Sequence, residues 1–247
     1  MKLGLDFEGL TAAITGAGSG IGLATARVLK QRGAMVYGLD LHEGEMSGIA
    51  TFIQCDVGDT VSVDLAFALI PKLDILVNNA GIGSVGSIET ALEEDWQRVF
   101  NVNVFGLART SKAALALLRQ SNHAAIVNTC SIAATAGIPK RAVYSASKGA
   151  VLSLTLAMAN DHLVDKIRVC CVNPGTADTP WVDRLLGQAN DPASERAALE
   201  SRQPMGRLVS GDEVANAIAY LASPLQSSTT GISLAVDGGM QGLRIPK

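Results

Sequence analysis

The stretch Thr11-Ala12-Ala13-Ile14-Thr15-Gly16-Ala17-Gly18-Ser19-Gly20-Ile21-Gly22 decides the fold. An apolar run of strand character passes into a glycine-rich turn and straight into a helical pattern, Ile21 to Arg32. Glycines let the backbone turn tightly and approach a pyrophosphate, whose charge is met by the free N–H groups of a helix N-terminus. A second apolar run, Met35 to Leu39, ends at Asp40, about 20 residues past the last glycines, the spacing at which a carboxylate reaches a dinucleotide's ribose. A flexible turn plus a surface acid would need the strand, the helix and the acid to fall into these positions by coincidence.

Further apolar, β-branched runs follow at Thr51 to Cys55, Ile75 to Val77, Ala125 to Thr129, Ile167 to Val172 and Ile232 to Val236. Helical patterns separate most of them: Val61 to Ile70, Leu92 to Asn101, Val104 to Leu118, Ser145 to Leu163, Trp181 to Glu200 and Glu213 to Ala222. Strands joined by helical crossovers predict an α/β chain, a single doubly wound (Rossmann) domain over residues 1–247, with a seven-stranded parallel sheet and helices on both faces. Ligands in such a sheet bind at the carboxyl ends of the strands, where strand order reverses. Only Leu41 to Ala50 join the second and third strands, so a crossover helix there is predicted to be vestigial.

Of the 247 residues 48% are hydrophobic and 4% aromatic, which suits an aliphatic core around a sheet buried on both faces. Net charge is -3, pI about 5.6 and mean hydropathy +0.26, and Lys and Arg are scattered, so no basic stripe exists for nucleic acid. Met1 to Leu10 lack the apolar core of a secretory signal, which predicts a cytoplasmic protein. The uncharged stretches, Ser121 to Pro139 among them, carry too many polar, glycine and proline residues to read as membrane spans. Cys55, Cys130, Cys170 and Cys171 sit in or beside apolar runs without C-x-x-C spacing and read as buried free thiols. His42, His123 and His162 are far apart, so no metal site is predicted.

Asp40 also bears on cofactor choice. A carboxylate accepts hydrogen bonds from a ribose 2′-hydroxyl and repels a 2′-phosphate, and Leu41 and His42 bring no Arg or Lys to bind that phosphate, so NAD is predicted over NADP. Tyr144 and Lys148, four apart at the head of a helix, share one face. A phenol is a poor base near neutrality, and an ammonium beside it favours phenolate.

Thr15-Gly16-x-x-x-Gly20-x-Gly22, Asn78-Asn79-Ala80-Gly81, Ser131, Tyr144-x-x-x-Lys148 and Asn173-Pro174-Gly175 stand in an order and at spacings that resemble the short-chain dehydrogenase/reductase family over nearly the whole chain. The resemblance implies oxidation of a secondary alcohol. Ser131 would hydrogen-bond the reacting oxygen, Tyr144 accept its proton, Lys148 bind the nicotinamide ribose and Asn103 hold a water in the proton relay. Gly16, Ser19, Gly20, Ile21 and Gly22 would cradle the pyrophosphate, and Asp40 and Leu41 would meet the adenosine ribose. Asp56, Val57, Asn79, Ala80 and Gly81 look like the adenosine wall, while Pro174, Gly175, Thr176 and Thr179 look like the nicotinamide amide clamp; both sets also satisfy ordinary strand-end turn chemistry. For Asn103 the alternatives are a capping Asn, or Asn101 in its place.

Selectivity is predicted to lie in residues 176–207, covering the nicotinamide. Arg141, three residues before Tyr144, must lie near the reacting centre, and Arg184 and Arg202 fall on the two arms of the covering segment. An arginine cluster suits a carboxylate. The surroundings resemble the hydroxy-acid branch of the family, which implies a carboxylate pocket of Arg141, Arg184 and Arg202 and a substrate such as a 2-keto-3-deoxy sugar acid oxidised at C4, ahead of 3-hydroxybutyrate. The alternative for Arg184 and Arg202 is a solvated helix charge, and Arg207 can pair with Asp212 or Glu213 instead. A ketone or 3-oxoacyl reductase, and a regulator that senses NADH without turnover, are the rival readings; Asp40 argues against the first and the intact Ser131, Tyr144 and Lys148 against the second. The family further implies a homotetramer packed through Val104 to Leu118 and Ser145 to Leu163.

Overall fold

Five consecutive buried residues, Thr11–Thr15, form strand β1 near the middle of a seven-stranded parallel sheet. The structure is a computed structural model describing residues 4–187 and 191–244, with the side chains of 183–185 excepted. After β1 come α1 (Gly20–Gln31), β2 (Met35–Asp40), β3 (Thr51–Gln54), α2 (Thr60–Ala68), β4 (Ile75–Asn78), α3 (Glu93–Phe100), α4 (Leu107–Leu118) and β5 (Ala125–Thr129). The second half holds α5 (Ala142–Asp161), β6 (Arg168–Pro174), β7 (Ala177–Asp178), α6 (Pro180–Gly187), α7 (Pro192–Ser201), β8 (Val209–Ser210), α8 (Gly211–Ala222) and β9 (Ser233–Val236). The sheet order is β3-β2-β1-β4-β5-β6-β9, so the direction of winding reverses between β1 and β4.

Successive strand residues face opposite sides of a sheet, and here both sides are covered, which is why the strands read as unbroken apolar runs. Ile14, Val77, Val127 and Val172 meet Leu23 and Leu29 of α1 and Val214 and Ile218 of α8 on one face. On the other, Ala13, Leu39, Leu76 and Ile126 meet Val63 and Phe67 of α2 and Ala114 and Leu118 of α4. The four cysteines are free and buried.

The connection between β2 and β3 has no helix; fully buried Met46 fills that space instead, its thioether against Gly38 where any side chain would collide. Four features differ from the sequence reading. The single helix predicted from Trp181 to Glu200 is two, because Asp191 accepts a hydrogen bond from the Ser194 amide and Pro192, lacking an N–H, opens α7. The helices predicted around Leu92 to Leu118 are continuous through a π-helical segment, Asn101–Gly106, which contains Asn103. Third, α5 is long and apolar enough by length and composition to cross a bilayer, although no stretch read so; it lies on the sheet with Val143, Val151 and Ala159 buried. A short two-stranded sheet, β7 with β8, was not foreseen.

Polar ties fix the edges of this core. Arg168 donates to the carbonyls of Leu221, Ala222, Ser223 and Thr229, supplying partners at the C-terminal end of α8. Asp6 is buried and accepts from Arg32 at 2.8 and 2.6 Å and from the Ser223 hydroxyl at 2.6 Å, joining the segment before β1 to the ends of α1 and α8. Burial alone would raise this carboxyl, and the Arg32 and Ser223 hydrogen bonds outweigh it, so it is held below the usual carboxylate value. Replacing Asp6→Ala leaves Arg32 unpaired and should cost about 2–3 kcal/mol in urea melts at neutral pH. Because the folded carboxyl is depressed, the wild-type advantage exists above the unfolded value and is lost as pH falls through the folded one. The gap between the two proteins should therefore narrow below about pH 4; a gap independent of pH would contradict the ion-pair origin.

Candidate active site

The strand ends on either side of the β1/β4 reversal are tied by side chains. The Thr15 hydroxyl accepts from the amides of Asn79 and Ala80, both at 3.0 Å, and the Asn79 carboxamide donates back to the carbonyls of Thr15 and Gly16. Gly16 takes φ +66, and a side chain at Gly22 would strike the Gly16 carbonyl, so the turn closes onto α1 only with glycine there. Ser19 stands at the head of α1 without a side-chain cap, leaving the first helical amides free toward the cleft. Both oxygens of Asp40 accept backbone amides, Gly18 at 2.9 Å and Leu41 at 2.7 Å, which fixes the carboxylate at the end of β2.

One cleft of about 560 Å³ runs from this turn across the strand ends. Gly16, Ser19, Gly20, Ile21, Asp40, Leu41, Asp56 and Val57 line it at the ends of β1, β2 and β3, Asn79, Ala80 and Gly81 line it just across the reversal at the end of β4, and Pro174, Gly175, Thr176 and Thr179 lie farther along, after β6. Gly22 is the one residue of the predicted cofactor set that is not on the wall; it packs behind the turn. Burial, aided by the Asp56 and Asp40 carboxylates, pushes the Cys55 thiol up to about 11, so it forms a neutral wall at this end. The donor set suits a dinucleotide: helix amides would meet phosphate, the fixed carboxylate would meet a ribose, and the crevice lies at the reversal.

At the far end Ser131, Tyr144 and Lys148 converge on the cleft. Ser131 lies two residues past the end of β5, and its hydroxyl accepts from the Ala133 amide at 3.1 Å, which orients it as the cap of a short 3₁₀ turn. Tyr144 lies in the first turn of α5, and one turn later Lys148 is 5% exposed, its ammonium donating to the Thr129 carbonyl at 2.8 Å and standing 5.7 Å from the Tyr144 ring centroid. The Asn103 carboxamide accepts from the Ile82 amide at 2.8 Å and donates to the Ile82 carbonyl and the Ser147 hydroxyl. Asn103 therefore pins the loop after β4 to α5 and retains only a second lone pair on Oδ1 for any relay water.

Arg141 and Arg202 reach the same end. Arg141 donates to the Ser84 carbonyl at 3.1 Å; burial lowers its pKa from the ordinary value, and the neighbouring Arg202 charge lowers it further. The side chain of Arg184 falls outside the described residues. Arg207 is not in the cleft: it pairs with Glu213 at 2.7 and 2.9 Å, one of the two partners proposed for it from sequence. Unforeseen was a line of buried polar side chains under the site, in which Thr110 donates to Asn78, Asn78 to Ser111 and Asn128, and Asn128 to Thr155.

A family profile described as enoyl-(acyl carrier protein) reductase matches residues 16–241. The chain belongs to the short-chain dehydrogenase/reductase family. It is 41% identical to cis-4-hydroxycyclohexanecarboxylate dehydrogenase of Sinomonas cyclohexanicum, over 96% of this chain and 98% of the relative. It is 34% identical to 2-keto-3-deoxy-L-fuconate dehydrogenase of Xanthomonas campestris pv. campestris, over 94% of this chain and 80% of that one. Its fold matches the ligand-free aldohexose dehydrogenase of Thermoplasma acidophilum with a TM-score of 0.91 at 33% identity, covering 98% of this chain and 99% of that chain. This short-chain dehydrogenase/reductase is thus an oxidoreductase of hydroxyl groups, and its family works with a nicotinamide cofactor.

Proposed function

We propose that the protein oxidises the secondary hydroxyl of a hydroxy acid with NAD, Tyr144 accepting the hydroxyl proton. The observation that carries this reading is the meeting of Arg141 and Arg202 with Ser131, Tyr144 and Lys148 at one end of the cleft whose other end holds Asp40. Two guanidinium groups suit a carboxylate, and their distance from Asp40 leaves the turn end without a cation: among the described lining residues the cations are Arg141, Lys148 and Arg202. A 2′-phosphate there would face the Asp40 carboxylate unpaired, which favours NAD over NADP.

When bound, the dinucleotide supplies the hydride acceptor. The rest of the chemistry belongs to the chain. Ser131 holds the substrate oxygen, Tyr144 takes its proton as the carbon–oxygen double bond forms, and Lys148 would hold the ribose. Asn103 keeps the loop after β4 in register with α5. Residues 1–247 act as one catalytic domain, with the 176–207 segment as its cover. The substrate reading spans the 2-keto-3-deoxy sugar acids, such as 2-keto-3-deoxy-L-fuconate, and ring-bearing hydroxy acids such as that named for the Sinomonas relative. Exposed Phe105, Leu156 and Leu163, in and beside the π segment and α5, support a homotetramer packed through α4 and α5.

Tyr144→Phe should fold and bind NADH while kcat falls about 10²–10⁴-fold; undiminished turnover contradicts the assignment. Asp40→Ser should reduce the NAD-over-NADP preference in kcat/KM by about tenfold or more, and an unchanged ratio would remove the carboxylate from cofactor choice. Light scattering should return the mass of four chains, whereas a monomer would rule out the packing.

A further inference from the structure

The covering segment brings one large aromatic side chain to the reacting end of the cleft. Trp181 follows Pro180 at the start of α6, lines the cleft, and keeps 38% of its surface exposed. Its indole lies against the backbone of Gly83 in the loop after β4: a Cβ there would stand 2.7 Å from Cζ2 and 3.0 Å from Cε2 and Nε1 of the ring. Only glycine leaves room for this seat. The guanidinium of Arg141 stands over the same ring, 5.5 Å from its centroid, close enough for a cation–π contact. The Ser84 carbonyl occupies one Arg141 nitrogen, so the guanidinium is steadied from two sides with donors remaining for a ligand.

Ile132, Ile138, Leu199 and Met240 give that end apolar wall. Among the described residues, the polar side chains on this part of the wall are already assigned: Ser131 and Tyr144 to the reacting hydroxyl, Arg141 and Arg202 to the carboxylate, Lys148 to the ribose, and Thr176 and Thr179 to the nicotinamide amide, while Thr129 donates to Asn79. Each additional hydroxyl on a substrate would lose water without gaining a partner, at a cost of about 1–3 kcal/mol.

We infer that Trp181 is a specificity-determining residue whose indole, seated on Gly83 and braced by Arg141, carries the apolar body of the substrate, so that the site prefers a compact ring-bearing hydroxy acid to a polyhydroxylated one. This rests on the hydroxy-acid reading above. The carboxylate goes to Arg141, the carbinol to Ser131 and Tyr144, and the ring between them lies on the indole.

The chain has two tryptophans, Trp96 and Trp181, and Trp96 packs against Phe100 in α3. In full-length Trp96→Phe protein with NAD present, the emission of Trp181 should change saturably on titration with cyclohexanecarboxylate, which has no hydroxyl to oxidise, and the change should vanish in Trp96→Phe/Arg141→Ala. With cis-4-hydroxycyclohexanecarboxylate as substrate, Trp181→Ala should raise KM about tenfold or more with kcat within about threefold, and Trp181→Phe should restore most of the loss. The wild type should favour this ring acid over 2-keto-3-deoxy-L-fuconate in kcat/KM. Emission blind to the ring acid, a KM indifferent to Trp181→Ala, or a preference for the polyhydroxylated acid overturns the inference while the hydroxy-acid reading stands. Turnover of uncharged secondary alcohols with no turnover of either acid overturns both.

Discussion

Lys148 is a buried ammonium with no carboxylate against it among the described residues. A charge removed from water is costly unless it is paired and hydrogen-bonded, and here the fold provides one carbonyl, that of Thr129 at the end of β5, and the face of Tyr144. Such a group is kept for what it does when the cleft is occupied. Much of the surrounding architecture keeps it in place: α5 begins early enough to put Tyr144 in its first turn, β5 ends where its carbonyl can receive the ammonium, and Asn103 locks the opposite loop to Ser147, the residue before Lys148.

Beneath this charge the sheet is unusually polar for its depth. Asn78 and Asn128 sit side by side on β4 and β5, bonded to each other and onward to Thr110, Ser111 and Thr155 on the flanking helices. Every member has a partner, so the network ties α4, the two strands and α5 into one rigid floor rather than weakening the core. Thr15 and Asn79 do the same at the β1/β4 reversal. Both ties share the end of β4, which keeps the dinucleotide cradle and the phenol in constant register.

The glycine turn, Asp40 and the Tyr144/Lys148 pair were legible because each is local: spacing of a few residues, or one strand and one helix, determines the geometry. The seven strands were legible because a sheet covered on both faces forces continuous apolar runs. The Asn78–Asn128 network was not, since its partners lie 27 to 50 residues apart and nothing local marks them. Asp191-Pro192 did carry a helix-start signal that the apolar period of the covering segment obscured. Nothing local marks Trp181, because its seat depends on Gly83 and Arg141, which reach it from elsewhere in the chain. The arginines are visible in the sequence, whereas the apolar wall of Ile132, Ile138, Leu199 and Met240 beside them is assembled only by the fold.

The most direct test is a crystal structure of the ternary complex with NADH and a hydroxy acid. In that complex the carbinol oxygen should lie within hydrogen-bond reach of both Ser131 Oγ and Tyr144 Oη, with the ammonium of Lys148 on the nicotinamide ribose and the carbinol carbon facing nicotinamide C4. A Tyr144 hydroxyl turned away from that ring, with the acid bound elsewhere, would contradict this arrangement.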